Sequence, residues 1–141
     1  MAGIAPPGGG TTDYAVEIFH AALRDRQYRC FLRADQALPM MYIDDAIKAT
    51  IDIMEAPPEK ITIRTSYNLA AISFAPKELA AELAKHIPNL KVTYKPDFHQ
   101  KIADSWPKSI DDSKARADWG WNHAYDLPKM VAEITGKLRI K

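Results

Sequence analysis

Two stretches of the chain combine hydroxyl, carboxylate and aromatic side chains that could bind a small polar molecule. The first, PGGGTTD, places Thr11, Thr12 and Asp13 just ahead of an amphipathic helix. Its glycines free the backbone from steric limits, and the start of a helix offers N–H groups that attract anions. The second, IADSWPKSIDD, holds Trp106 beside a proline, two hydroxyls and several acids. The two stretches predict either walls of a ligand site or, more simply, a helix cap and an aromatic side chain over a hydrophobic edge.

A tyrosine and a lysine four residues apart provide a further candidate for acid–base chemistry. Tyr125 and Lys129 match the Tyr-x-x-x-Lys pattern, which works when both side chains lie on one face of a continuous helix. Asp126 and Pro128 instead mark this stretch as the beginning of a helix, with Tyr125 outside it. The pair is therefore not expected to be catalytic.

Other common chemical signatures are missing from the sequence. His20, His86, His99 and His123 are scattered, and none pairs with Cys, Asp or Glu at metal-ligand spacing, so no metal site is expected. GGGTTD lacks the lysine of a P-loop, and no G-x-G-x-x-G opens a strand–helix unit. The sequence by itself thus predicts no nucleotide site.

Composition places the chain among ordinary globular domains. Its 141 residues are 47% hydrophobic, and 19 basic against 18 acidic side chains leave a net charge of +1, which does not favour nucleic acid as a partner. No segment approaches the roughly 20 apolar residues that span a bilayer, and the first residues, MAGIAPP, lack the features of a secretory signal. The single cysteine, Cys30, lies in an apolar run and is expected to be a buried hydrophobe in a reducing compartment. These features predict a cytoplasmic location without membrane contact.

Hydrophobic periodicity predicts alternating helices and strands, typical of an α/β domain. Asp44 and Asp45 are expected to cap the second helix, and Ala75 stands where a serine or threonine would complete a capping box with Glu78. Helices are expected over DYAVEIFHAALRDR, DDAIKATIDIME, PKELAAELAKHI, residues 112–119 and LPKMVAEITGKL, and strands over YRCFL, PMMYI, KITIRTSYNLAAI and LKVTY. Crossovers of this order suit parallel pairing.

Five stretches follow one another in a recognisable order and spacing: PGGGTTDYAVEIFHAAL, YRCFL, LPMMYIDDAIKATIDIMEAP, SYNLAAISFAPKELA and PDFHQKIADSWPKSIDDSKARADWGWNH. Together they resemble the C-terminal part of NAD-dependent L-threonine dehydrogenases of the extended short-chain dehydrogenase type. The likeness runs from about Pro7 to the last helix. PGGGTTDYA, PMMYIDDAI and IADSWP resemble that enzyme more than the superfamily at large.

This resemblance implies an α/β fold that is the C-terminal portion of a Rossmann-type enzyme and lacks the N-terminal dinucleotide-binding half, so residues 1–141 are expected to form a single incomplete domain. It implies oxidation of threonine to 2-amino-3-oxobutanoate, with NAD as cofactor of the complete enzyme. The family's threonine pair and following acid fall on Thr11, Thr12 and Asp13, and its loop tryptophan falls on Trp106, all as substrate-binding residues. No catalytic or cofactor-binding residue is expected in this chain.

The resemblance also implies partners. L-Threonine is the expected substrate, a separate nucleotide-binding half is an expected partner, and the family is expected to be homodimeric. PMMYI and SYNLA are expected to run beside strands of the absent half, which would leave unpaired edges and an apolar face exposed. The chain should then be inactive alone and should not bind NAD by itself. The alternative is a non-catalytic truncated remnant that serves as a small binding module through its exposed edge.

Overall fold

A computed structural model describes residues 1–140 of the chain. Helices and short strands alternate along it, as the periodicity predicts. The helices are α1 (Tyr14–Asp25), α2 (Ile43–Glu55), α3 (Pro76–Ala84), α4 (Phe98–Asp104), α5 (Ser113–Trp119) and α6 (Leu127–Arg139). The strands are β1 (Gln27–Cys30), β2 (Leu38–Met40), β3 (Ile72–Phe74) and β4 (Lys91–Tyr94), and a single 3-10 turn covers Pro58–Lys60.

The strands form two separate pairs. β1 runs parallel to β4, with Gln27 opposite Lys91 and Cys30 opposite Tyr94. β2 runs antiparallel to β3, with Leu38 opposite Phe74. The expectation of parallel pairing is therefore correct for the first pair and wrong for the second. Between β2 and β3 the chain passes through α2, and β3 then pairs with β2 in the opposite direction.

Helix α1 lies at the centre of the main core. Its inner face buries apolar residues that recur at helical spacing, and α1 packs against β1, α3 and α6. Cys30 is buried in this core, and burial raises the pKa of its thiol to about 11. The thiol is therefore a small hydrophobe rather than a nucleophile, as predicted. The buried side chains of α1 are Tyr14, Ala15, Val16, Ile18, Phe19 and Ala22.

The segment between the 3-10 turn and β3 differs from its prediction as strand. Residues 61–71 are irregular, and several of their backbone groups bond to side chains within the segment or near α5 instead of to a neighbouring strand. The hydroxyl of Tyr67 accepts from the Thr62 amide at 3.0 Å and donates to Asp118 at 2.7 Å. Trp121 Nε1 donates to the carbonyl of Ala70 at 2.8 Å. A strand needs a neighbouring strand for its backbone hydrogen bonds, and residues 1–140 do not provide one here.

Helix α4 is not among the helices predicted from the sequence, because this stretch shows no clear hydrophobic periodicity. A start signal was nevertheless present: Asp97 follows a proline, and its side chain accepts the His99 amide at 2.9 Å. The helix is held by a polar network in which Gln100 accepts from the Arg33 amide at 2.7 Å and donates to Gln36 at 2.7 Å. Both glutamines are buried, so this network fixes where α4 sits.

Only one of the two hydrogen bonds of a capping box forms at the start of α3. Glu78 accepts from the Ala75 amide at 2.7 Å, but the Ala75 side chain has no oxygen to return the bond. We predict that Ala75→Ser raises the free energy of unfolding by about 1 kcal/mol. Urea unfolding followed by circular dichroism measures this gain. Ala81→Ser, on the exposed face of the same helix, should give none, and equal effects of the two changes would contradict the capping explanation.

Within residues 1–140, no helix is long and apolar enough to cross a membrane.

Candidate functional site

The stretch from Pro7 to Asp13, which we call the glycine corner, is organised by one carboxylate. Asp13 Oδ2 accepts hydrogen bonds from the amides of Gly8, Gly9 and Gly10 at 2.6, 2.7 and 2.9 Å. Gly9 has a φ of +94°, a conformation that favours glycine. The consecutive glycines thus let three successive N–H groups point at the same oxygen.

This arrangement corrects the predicted cap of α1. Neither Thr11 nor Thr12 caps the helix: Asp13 occupies the N-cap position, and its side chain turns back to the corner instead of bonding the helix. The amides that open the helix are also used, because Ala15 N–H donates to the Thr12 carbonyl and Val16 N–H to that of Asp13. Most of the N–H groups expected to receive an anion here are therefore already bonded.

The charge of Asp13 is stabilised by these contacts. Partial burial acts to raise the pKa of its carboxyl group, but the bonds from Gly10, Gly8 and Gly9 outweigh it and hold the pKa below its ordinary value. The hydrogen bonds from the glycines all reach Oδ2, so Oδ1 keeps lone pairs for a donor. Asp13 can therefore offer an anionic oxygen to a cationic ligand.

The two threonines are not equally placed. Thr11 is buried at 7% exposure, whereas Thr12 is only half-buried. Of the two hydroxyls, the one on Thr12 is thus the better placed for a ligand.

His99 connects the glycine corner to α4, the helix that ends beside Trp106. Its Nε2 lies 3.4 Å from the Gly9 carbonyl oxygen and its Nδ1 lies 2.7 Å from Asp97. The imidazole stacks between Phe31 and Phe98, with ring centroids 4.5 and 3.9 Å away. Trp106 lies seven positions after His99, which corresponds to about 10 Å at the rise of a helix. A short rigid element therefore separates the corner from the tryptophan.

Trp106 follows α4 by two residues, and its side chain is 41% exposed. The amide of Trp106 donates to the Ala103 carbonyl at 3.1 Å, which extends the helical turn up to the indole. Phe98 and Ile102 precede it at helical spacing and are also exposed. The indole thus presents an apolar surface from a fixed backbone.

A cavity of about 300 Å³ lies beside the glycine corner. Ile4, Gly8, Asp13, Val16 and Ile43 are among its lining residues, whereas neither Thr12 nor Trp106 is. This volume is at the small end of the range for ligand pockets. The predicted sharing of one pocket by Thr12 and Trp106 stays a prediction.

Tyr125 and Lys129 do not form an acid–base pair. Helix α6 begins at Leu127, so Tyr125 lies outside it as predicted. Lys129 Nζ donates to the Ala124 carbonyl at 2.9 Å and sits 4.4 Å from the centre of the Tyr125 ring. The ammonium therefore contacts the face of the ring, which is a cation–π contact rather than a catalytic geometry.

Asp45 has a different role from the expected helix cap. Its carboxylate accepts from the amides of Ala124 and Tyr125 at 2.7 and 3.1 Å, and it is 1% exposed. Asp44 lies in the first turn of α2 and contacts Lys137 at 3.6 Å. The N-cap residue of α2 is Tyr42, whose side chain makes no capping bond. The sequence could not separate the two acids, because their different partners lie 79 to 93 residues further along the chain.

Known proteins similar to this chain include several L-threonine dehydrogenases. The chain is 58% identical over 129 residues to a Bos taurus protein named L-threonine 3-dehydrogenase, mitochondrial, covering 91% of this chain and 34% of that one. The structure matches a GalE-like L-threonine dehydrogenase from Cupriavidus necator with a TM-score of 0.92 and 56% identity, over 95% of this chain and 48% of that one. It matches L-threonine dehydrogenase from Phytophthora infestans with a TM-score of 0.93 and 51% identity, over 96% and 44%. No family model matches the chain.

The fold is thus the C-terminal part of a GalE-like extended short-chain dehydrogenase, which confirms the predicted fold class. Within that class, the chain is homologous to the C-terminal part of L-threonine 3-dehydrogenases, and the resemblance read from the sequence is confirmed. It spans about a third to a half of the length of these relatives.

Proposed function

We propose that this chain is the substrate-binding, C-terminal part of an NAD-dependent L-threonine dehydrogenase, inactive alone and active when joined to a nucleotide-binding half. The nucleotide-binding half is the part of a related enzyme that precedes the region matched by this chain. The identity of 58% to the bovine L-threonine 3-dehydrogenase carries the proposal. In the complete enzyme, the alcohol of threonine is oxidised to the ketone of 2-amino-3-oxobutanoate.

The glycine corner supplies the polar wall of the substrate site. Asp13 Oδ1 accepts the ammonium group of threonine, since the three glycine amides hold the carboxylate in place and keep it charged. Thr12 offers its hydroxyl to the substrate carboxylate. Thr11, which is buried, supports the turn between them. The resemblance implies that the threonine hydroxyls and the helix amides bind the substrate carboxylate together, and we assign this role to Thr12 because those amides have internal partners.

Trp106 supplies the apolar wall. Its exposed indole at the end of α4 covers the methyl group of threonine and excludes water from the reacting carbon. His99 fixes the distance between this wall and the glycine corner through its contacts with Gly9 and Asp97.

The residues of this chain do not fit NAD. The three consecutive glycines, Gly8 to Gly10, direct their amides at the Asp13 carboxylate, so these N–H groups are not available to a cofactor pyrophosphate. We therefore assign both the cofactor site and the acid–base groups to the nucleotide-binding half.

A covalent fusion tests the proposed function. The nucleotide-binding half of the Cupriavidus necator enzyme is joined in frame to the full 141-residue chain, and NADH formation is followed at 340 nm with threonine and with serine. We expect NADH with threonine, and none from the 141-residue chain alone. A fusion that is folded and binds NAD but yields no NADH from threonine would overturn the proposal and favour the non-catalytic binding module.

The tryptophan wall gives a separate prediction. In the fusion, Trp106→Ala should raise KM for threonine about tenfold and lower kcat, because the substrate methyl group loses its cover and water enters. Steady-state kinetics measure both constants. Trp106→Phe, which keeps an aromatic face, should recover most of the activity. Unchanged kinetics of the alanine variant would place Trp106 outside the substrate site.

A further inference from the structure

Both ring nitrogens of His99 face a hydrogen-bond acceptor. Nδ1 lies 2.7 Å from Oδ1 of Asp97, and Nε2 lies 3.4 Å from the carbonyl oxygen of Gly9. The His99 side chain is 14% exposed, and its ring also contacts those of Phe31 and Phe98. Two aromatic and two polar contacts therefore hold the imidazole. We call the pair of polar contacts the His99 bridge.

The His99 bridge needs two N–H groups on one ring. A neutral histidine has a single N–H, whereas an imidazolium has two. In the neutral ring this N–H goes to Asp97, the closer and charged acceptor, so the lone pair of Nε2 faces the Gly9 carbonyl oxygen and that bond is lost. Only the imidazolium donates to both partners at once. Histidine side chains change between these two forms between about pH 5 and 8.

Charges of both signs surround the His99 ring. Desolvation acts to raise the pKa of the Asp97 carboxyl, but hydrogen bonds from the His99 amide and ring outweigh it and hold this pKa below its ordinary value. Asp13 supplies a second carboxylate from the glycine corner. Arg29 of β1 and Lys95, which follows β4, line a cavity that Asp97 also lines. Of these charged groups, only Asp97 is in hydrogen-bond contact with the imidazole.

The residue held by Nε2 of His99 is also one that holds Asp13. The Gly9 amide donates to Oδ2 of Asp13 at 2.7 Å, and Gly9 has a φ of +94°. A proton on Nε2 thus fixes the Gly9 carbonyl group, and through the same residue it fixes an N–H group that orients the carboxylate. His99 itself belongs to α4, which ends two residues before Trp106. The His99 bridge therefore connects the two proposed walls of the substrate site.

We propose that His99 is a positioning residue for the substrate site, and that its imidazolium form holds the glycine corner against α4 whereas its neutral form releases it. The ligand is an α-amino acid with its ammonium group at Asp13 and its apolar end under Trp106, and in this respect the inference rests on the proposed function. His99 acts through Gly9 and α4 rather than on the reacting carbon. The site should accordingly bind threonine more tightly when His99 is charged.

Nuclear magnetic resonance of the full 141-residue chain tests the His99 bridge without relying on catalysis. The ring signals of His99 and the amide signals of the three glycines, residues 8–10, are followed from about pH 5.5 to 8.5. We expect the glycine signals to move with the same midpoint as the His99 ring. In His99→Arg they should not move, because a guanidinium keeps several donors at every pH and stacks on aromatic rings. His86→Gln, just after α3, should leave the glycine transition unchanged.

Kinetics of the fusion provide a readout that a merely structural residue would not move. The ratio of KM for threonine at about pH 8 to that at about pH 6 should be about fivefold smaller in His99→Arg than in the unchanged fusion. Titration of the substrate and of the other half cancels in this comparison. His99→Phe keeps the aromatic contacts without a donor, so its KM should rise about fivefold at the lower pH and stay near that of the unchanged fusion at the higher pH.

Circular dichroism confirms that these variants remain folded. His99→Gln, which is also uncharged, replaces the phenylalanine variant if that one does not fold.

The outcomes separate this inference from the proposed function. Glycine signals that follow His99, together with a fusion that binds NAD but yields no NADH from threonine, would support the His99 bridge and assign the corner a ligand other than threonine. A fusion that oxidises threonine with the same KM ratio in His99→Arg as in the unchanged protein would overturn the positioning role alone. Glycine signals that stay constant through the His99 titration would also overturn it.

Discussion

Replacing Asp45 with alanine is expected to lower the free energy of unfolding by about 3 kcal/mol, the largest effect of any single change considered for stability. The carboxylate is buried and accepts two backbone amides just ahead of α6. Its removal takes from the N–H groups of Ala124 and Tyr125 a charged acceptor that is itself only 1% exposed. Urea unfolding at neutral pH, followed by circular dichroism, measures the loss.

The neighbouring acid provides the control for this prediction. Asp44→Ala should change the free energy of unfolding by no more than about 0.5 kcal/mol, because Asp44 is partly exposed and its contact with Lys137 is a surface ion pair. Similar losses in the two variants would mean that the effect comes from the N-terminal charge of α2 and not from the anchoring of residues 124 and 125.

Replacing Asp13 with alanine is expected to have the largest effect on activity. In the fusion, kcat/KM for threonine should fall about 100-fold, because the substrate ammonium loses its anionic partner and the glycine corner loses the group that organises it. The free energy of unfolding should also fall by about 2 kcal/mol, a value that allows for solvent screening of three charge-assisted bonds. Kinetics and urea unfolding measure the two effects.

Asp25→Ala serves as the matched control for Asp13. Asp25 ends the same helix and pairs with Arg24 on the surface at 2.8 Å. We expect near-normal stability and activity in the fusion. A loss equal to that of Asp13→Ala would show that removal of any carboxylate from α1 has the same consequence.

The pH dependence of the Asp13 contribution has a definite sign. Bonds from the glycines hold the pKa of the folded carboxyl below its ordinary value, so its stabilising effect is fully present above the unfolded aspartate pKa of about 3.9. That effect is lost as the pH falls through the lower, folded pKa. The difference in unfolding free energy between the unchanged chain and Asp13→Ala should therefore be constant from pH 7 to about 5 and shrink in more acid solution. A difference that grows in acid would contradict this assignment.

The local elements were largely predictable from the sequence. The apolar stripes of α1, α3 and α6, the aspartate cap at Asp126 and the left-handed Gly120 follow from rules that act over a few residues. The family resemblance was also evident from short motifs, and the comparisons confirm it. The substrate-binding roles of Thr11, Thr12, Asp13 and Trp106 stay predictions.

The predicted secondary structure is wrong where the local conformation depends on a contact with a segment far away in the sequence. Residues 61–71 alternate like a strand, yet they are irregular here, because a ladder requires a second strand that residues 1–140 do not supply. Helix α4 lacks an evident period, yet the buried Gln36 and Gln100 hold it in place across more than 60 residues of sequence. In both places contacts between remote segments outweigh local preference.

The sequence by itself therefore determined the α/β class, the faces of most helices, the burial of Cys30 and the dehydrogenase relationship, since each depends on residue type and short-range spacing. Only the tertiary structure decided that Asp13 binds the three glycine amides and that Asp45 anchors the start of α6. It also decided that the large apolar side chains of α2 face solvent. A carboxylate can accept hydrogen bonds from many different donors, and an apolar helix face can pack against many different surfaces. The actual partner depends on atoms that the fold brings together and that are not neighbours along the chain.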